Sequence, residues 1–231
     1  MYCSTCFYLN HMIFFEFLKL FYTSIFIWLS GTAAALALRK KLSFSYQLFA
    51  WLIITLSVML TVAYILAFKN IANHLLFNIF DPLEFFIIPL FYYYHLSNRV
   101  IKNIIRIYLF IFPIFVLINA LLIQNFHQLA TNSYVFGAAF TILLSVAYLW
   151  QLYTSDDTDS IFRDPVFWIS LAYVFYCAVS IPYLGMLNDL WEKHPVFTRK
   201  YYFIMYYGAI IINRIFLIAA FVCMNPSVNR S

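Results

Sequence analysis

The sequence predicts an all-α fold, a polytopic membrane helix bundle of about seven transmembrane helices with the N-terminus outside and the C-terminus cytoplasmic. Three observations predict it. Of 231 residues, 65% are hydrophobic and 10% are charged, whereas a soluble domain of this size carries about 45–50% apolar and about 25% charged residues. The apolar residues fall in runs of about 20, the length a helix needs to cross roughly 30 Å of hydrocarbon. The hydrophilic residues fill short breaks between the runs, so consecutive helices are expected to be antiparallel neighbours. So few charges could not cover a water-facing surface. Lipid is the expected solvent.

The runs are Phe14–Leu38, Tyr46–Phe68, Leu75–Leu96, Ile104–Ile123, Tyr134–Tyr153, Val166–Leu187 and Tyr202–Met224. They form one transmembrane domain, residues 14–224, between tails at 1–13 and 225–231. The breaks hold Arg39-Lys40-Lys41, Lys69–His74, Asn98–Asn103, Gln124–Asn132, Thr154–Pro165 and Asn188–Lys200. A β-barrel would show strands of about 10 residues alternating in polarity, and these runs do not alternate. No cleavable signal peptide is expected, because the first run is long and no charged segment precedes it. Met12 opens a more ordinary start than Met1, which leaves open whether residues 1–11 belong to the native chain.

Orientation follows from Lys and Arg near the ends of the runs. Arg39, Lys40, Lys41, Arg99, Lys102, Arg106, Arg163 and Arg230 fall on the side assigned to the cytoplasm. Lys69, Lys193, Arg199 and Lys200 fall on the other, and the loop Trp191–Lys200 dissents by holding three of these four. Trp51, Trp150 and Trp168 are then expected at the cytoplasmic interface, as an aromatic belt. Pro89, Pro113 and Pro182 lie inside runs, where each removes a backbone donor and leaves a carbonyl for a neighbour to satisfy. No internal repeat marks a duplicated transporter fold.

The informative residues are the polar ones at membrane depth. An ionisable group near the bilayer centre costs at least about 2.5–3.5 kcal/mol, so it is expected to face the bundle interior and to have a partner. Glu84 in the third run and Arg214 in the seventh are expected at similar depth, linked directly or through Asn213 or Asn119. Asp81 lies one turn before Glu84 on nearly the same face. If both acids face inward, repulsion in a low dielectric leaves a proton on one of them. Two plainer readings compete: a buried acid and base that only fix helix register, and Asp81-Pro82 as a kink near the outer interface.

Other polar residues carry less. Glu16 and Lys19 are expected to pair or snorkel, and Asp156, Asp157 and Asp159 to be solvated. His95 follows Tyr92-Tyr93-Tyr94, an aromatic run read as interface or packing. His11, His74, His127 and His194 are scattered, so no metal site is expected. Cys3 and Cys6 form a CxxC without a second ligand pair, while Cys177 and Cys223 lie in apolar runs. The seventh run has no lysine for a retinal Schiff base, and no P-loop, GxSxG or HExxH is present. No enzyme activity, catalytic residue or cofactor is expected. The net charge of +5 sits in short clusters, which argues for lipid and against nucleic acid as a partner.

Leu83-Glu84-Phe85-Phe86, Asn132-Ser133-Tyr134 and above all Arg163-Asp164-Pro165-Val166-Phe167-Trp168-Ile169-Ser170 resemble a family of uncharacterised bacterial seven-helix membrane proteins. The layout is similar over nearly the whole chain after Phe14. Members are often encoded beside sensor histidine kinases, so the resemblance implies a sensory or accessory role in the bacterial inner membrane. It transfers no ligand residue. Asp164, Pro165 and Trp168 also suit a helix cap, a first turn and an interfacial anchor. The expected function is thus a receptor-like or accessory signalling module acting with a separate kinase, with a histidine kinase or another membrane protein as its partner. A small secondary transporter or channel with an acidic intramembrane site, or a structural membrane subunit, are the alternatives.

Overall fold

The computed structural model describes residues 23–40, 42–69, 71–124, 128–155, 158–193 and 195–224, with backbone alone at 158–160, 188–189, 191 and 195–207. The expectations for both tails, Cys3, Cys6, Glu16, Lys19, Lys41, His11, His127, His194, Asp156, Asp157 and Arg230 lie outside the described residues. The described chain is helical and shows no strand.

The order is α1 (Thr23–Leu38), α2 (Phe44–Phe68), α3 (His74–His95), α4 (Arg99–Ile118) with a π-helical turn at Asn119–Ile123, α5 (Thr131–Tyr153), a 3₁₀ turn at Thr158–Arg163, α6 (Pro165–Gly185), α7 (Leu187–Lys193) and α8 (Pro195–Cys223). Five helices are long and apolar enough to cross a membrane: α2, α3, α4 with its π turn, α5 and α6. Thr23–Leu38 and Gly208–Cys223 are apolar but shorter as described. This architecture is compatible with a multi-pass membrane protein. One expectation is corrected: Asn188–Lys200 is not an open loop, because α7 occupies its first half and α8 begins at Pro195, where a proline suits a first turn.

Caps follow the sequence. Asn98 Oδ1 accepts from Val100 N at 2.8 Å, and Asp164 Oδ1 accepts from Val166 N at 2.9 Å ahead of Pro165. Burial raises the Asp164 carboxyl pKa, while hydrogen bonds from Tyr148 and from the Val166 and Phe167 amides pull the other way.

Successive helices run up and down. At one end Ser45 of α2 meets His95 of α3, Gln151 of α5 donates to the His95 carbonyl, and Lys40 after α1 donates to the carbonyl after α8, at Met224. At the other end Asn73 reaches the α2 carbonyl of Ala63, and Asn78 exchanges hydrogen bonds with Gln128 and Ala130 before α5. α6 packs most extensively against α8 and α5, and α3 lies against α2 and α5. The peripheral helix is α4: 22% of its apolar stretch is buried, against 50% in α2, and Phe110 and Leu122 point outward.

Phe49, Phe85, Phe91, Tyr92, Phe112 and Tyr173 fill the core. Pro89 cannot donate to the carbonyl four residues back, at Phe85. Tyr108 of α4 takes that place, its hydroxyl donating to Phe85 O at 3.2 Å while its ring stacks on Phe140. The carbonyl freed by this proline therefore fixes α4 against α3. Nearby, Gly137 lets α5 approach α3 so closely that an added Cβ would sit 2.5 Å from Phe85 Cγ. Gly137→Ala should force the two helices apart. A loss of about 1–3 kcal/mol is expected, measured as a lower thermal midpoint of the detergent-purified protein.

Candidate functional site

The bundle interior holds two kinds of polar site. The first kind is fully bonded. Tyr92 Oη lies 2.9 Å from both Ser145 Oγ and Ser170 Oγ. Ser145 spends its own proton on the Thr141 carbonyl, so Tyr92 donates to Ser145 and accepts from Ser170. Tyr134 donates to Ser180 at 2.6 Å, and Tyr148 to Asp164 Oδ2 at 2.6 Å. The Tyr92–Ser145 bond ties α3 to α5, and the others tie α6 to α3 or α5. Of the aromatic run, Tyr92 is thus a buried packing residue, Tyr94 is exposed, and Tyr93 receives hydrogen bonds from Arg106.

Asn119 belongs to this bonded kind. It does not link Glu84 to Arg214, which corrects the expectation for it. Its amide nitrogen donates to Gln124 Oε1 and Ser133 Oγ at 3.0 Å, and its Oδ1 accepts from Asn132. The π turn that starts at Asn119 points it at the α4–α5 connection, where its amide is wholly used.

The second kind is incomplete. Asp81 and Glu84 of α3 and Asn213 and Arg214 of α8 line one cavity, closed by Leu56, Met59 and Leu60 of α2 and Tyr176 of α6. The cavity encloses ≈ 20 Å³ of water-accessible space, room for roughly one water molecule. One helical turn separates Asp81 from Glu84, which puts both acids on the same side of α3. Glu84 Oε1 accepts a 2.9 Å hydrogen bond from Tyr173 of α6, and Asn213 Nδ2 donates to the α6 carbonyl of Ala172 at 3.2 Å.

Arg214 is 6% exposed, yet its Nε and Nη1 have no hydrogen-bond partner among the described residues. Its guanidinium lines the same cavity as Glu84, and no hydrogen bond joins the two. An unpaired buried donor costs about 1–3 kcal/mol, more when charged. The arrangement can therefore take a water, exchange a proton, or close on itself. Among the described residues no group of three His, Cys, Asp or Glu side chains could hold a metal ion.

Asp81, Glu84, Asn213 and Arg214 meet, then, and Asn119 stands apart. Tyr173 is not legible as a site residue in the sequence, since nothing in a tyrosine among apolar neighbours marks it as the donor to an acid on another helix. Tyr173→Phe should leave Glu84 without its donor and lower stability by about 0.6–1.7 kcal/mol. The loss should shrink in a Glu84→Gln background, measured by thermal unfolding in detergent. No described protein family matches the chain, nor does any curated protein or any solved structure.

Proposed function

We propose that this chain is a seven-span protein of the bacterial inner membrane, outside at its N-terminus. In this reading it is a receptor-like or accessory signalling module acting with a separate histidine kinase and has no catalytic activity of its own. The observation that carries it is the guanidinium of Arg214, buried with two donor atoms unpaired beside two carboxyl groups. A group left unsatisfied in one arrangement is a reason for a second arrangement to exist, and two arrangements are what a signalling bundle needs. Cavity size supports switching over conduction, because room for one water is no path across a membrane. The partner kinase rests on the family resemblance of the motif from Arg163 to Ser170. Arg39, Lys40, Arg99, Lys102, Arg106 and Arg163, at the end of the bundle that carries Ser45 and His95, support a cytoplasmic assignment for that end.

Transport has one observation in its favour, the two acids facing the same cavity. Proton or cation flux into liposomes that disappears with Glu84→Gln would establish it in place of signalling. For the signalling reading, Glu84→Gln, Arg214→Gln and the double variant should show a coupling of about 0.5–3 kcal/mol in stability. A histidine kinase should co-purify from native membranes, and its autophosphorylation should change when this protein is deleted. Strictly additive losses together with unchanged kinase output would end the proposal.

A further inference from the structure

We propose that the cavity between α3 and α8 binds one proton, carried by the Asp81 carboxyl, and that its release draws Arg214 onto the acids. The inference deepens the switching role proposed above by naming the ligand of that site. It starts from a count of charge. With both carboxyls ionised, Asp81, Glu84 and Arg214 leave one net negative charge around the cavity. A net charge in the middle of an apolar bundle is the least stable state available to it, and one proton removes it.

The other groups around the acids cannot do so. α2 contributes only apolar side chains. From α6 come Tyr173, bonded to Glu84, Tyr176 on the cavity wall, and Cys177 within electrostatic reach of Glu84. These are neutral when protonated and cannot cancel a negative charge. From α8, Arg214 already carries its positive charge. Only the two carboxyls are left to take a proton.

Geometry divides the two. Glu84 accepts the Tyr173 hydrogen bond and shares its cavity with the Arg214 guanidinium, contacts that suit a carboxylate. Asp81 accepts no hydrogen bond from a described residue, so it is the acid that gains from being neutral. When it loses the proton to water at the membrane face, only its O–H bond breaks. A second carboxylate then lines the cavity that Arg214 lines with its Nε–H and Nη1–H unpaired, and that cavity has room for about one water. Closure of that cavity moves α8 relative to α3.

The test uses infrared spectroscopy of the full chain in detergent. At neutral pH the wild type should show the C=O stretch of a protonated carboxylic acid, shifted by ¹³C-aspartate labelling and not by ¹³C-glutamate. Asp81→Asn and Glu84→Gln should each abolish this band, because a single remaining acid is balanced by Arg214. The wild-type thermal midpoint should fall as pH rises above the ordinary carboxylate range, since the folded chain holds a proton that the unfolded chain releases. The midpoint of Asp81→Asn should not fall with it. Absence of the band in wild type, its survival in Asp81→Asn, or a shift on glutamate labelling would overturn the proposal. So would stabilisation by sodium chloride that choline chloride does not reproduce, which would give the place to a metal cation. Should Asp81→Asn fail to fold, Asp164→Asn separates the two partly buried aspartates among the described residues: it should leave the band in place, and loss of the band there would overturn the proposal. None of these readouts involves a kinase, so failure here and failure of the signalling reading are separate results.

Discussion

Hydrocarbon offers a polar group nothing to bond to, so a side-chain donor or acceptor in this bundle has to find its partner on its own helix or on another one. The architecture answers that constraint mainly through α6. Asp164, Ser170, Tyr173 and Ser180 take up Tyr148, Tyr92, Glu84 and Tyr134, and the carbonyl of Ala172 takes up Asn213. One helix thus holds α3, α5 and α8 by hydrogen bonds placed among apolar contacts. Individually such bonds contribute about 0.6 kcal/mol in membranes. Their larger effect is on register, because sliding α6 by one residue would unpair all of them together.

Close approach and proline serve the same end. Gly137 removes the bulk that would keep α5 from Phe85, and Gly31 brings α1 close enough to α2 for Ser57 Oγ to reach the Ile27 carbonyl at 3.2 Å. Pro89 frees a carbonyl in α3 that Tyr108 then occupies, which places the peripheral α4. Small residues and freed carbonyls let helices meet where apolar side chains alone would give no preferred partner, lipid being as apolar as leucine.

Much of this is legible in the amino-acid sequence. Run length sets the helices, whose ends lie within a few residues of those expected for α2 to α6, and position along the third and seventh runs is enough to single out Glu84 and Arg214. Asn188–Lys200 misleads because a charge-rich stretch of a membrane protein reads as a loop whether or not it is helical. Asn119 misleads because depth along a span says nothing about azimuth: the π turn after α4 rotates it towards Ser133 and away from α8. Tyr173 and Ser170 are invisible for the same reason. A hydroxyl in an apolar run announces neither its partner nor its direction.

The contrast between the two kinds of polar site is what separates glue from switch. Around Tyr92 every proton has a destination, so that cluster has one good arrangement and resists others. Around Arg214 two donors have none, although carboxyl groups on a neighbouring helix share their cavity. A site meant only to fix register would be expected to close that pair, since an open pair carries the cost of desolvation without the return of contact. Keeping it open needs the rigid frame that Tyr92, Tyr134 and Tyr148 build around it. The bonded clusters hold the helices still enough that the unpaired guanidinium, a charge where the unpaired Thr141 hydroxyl is neutral, decides between their arrangements.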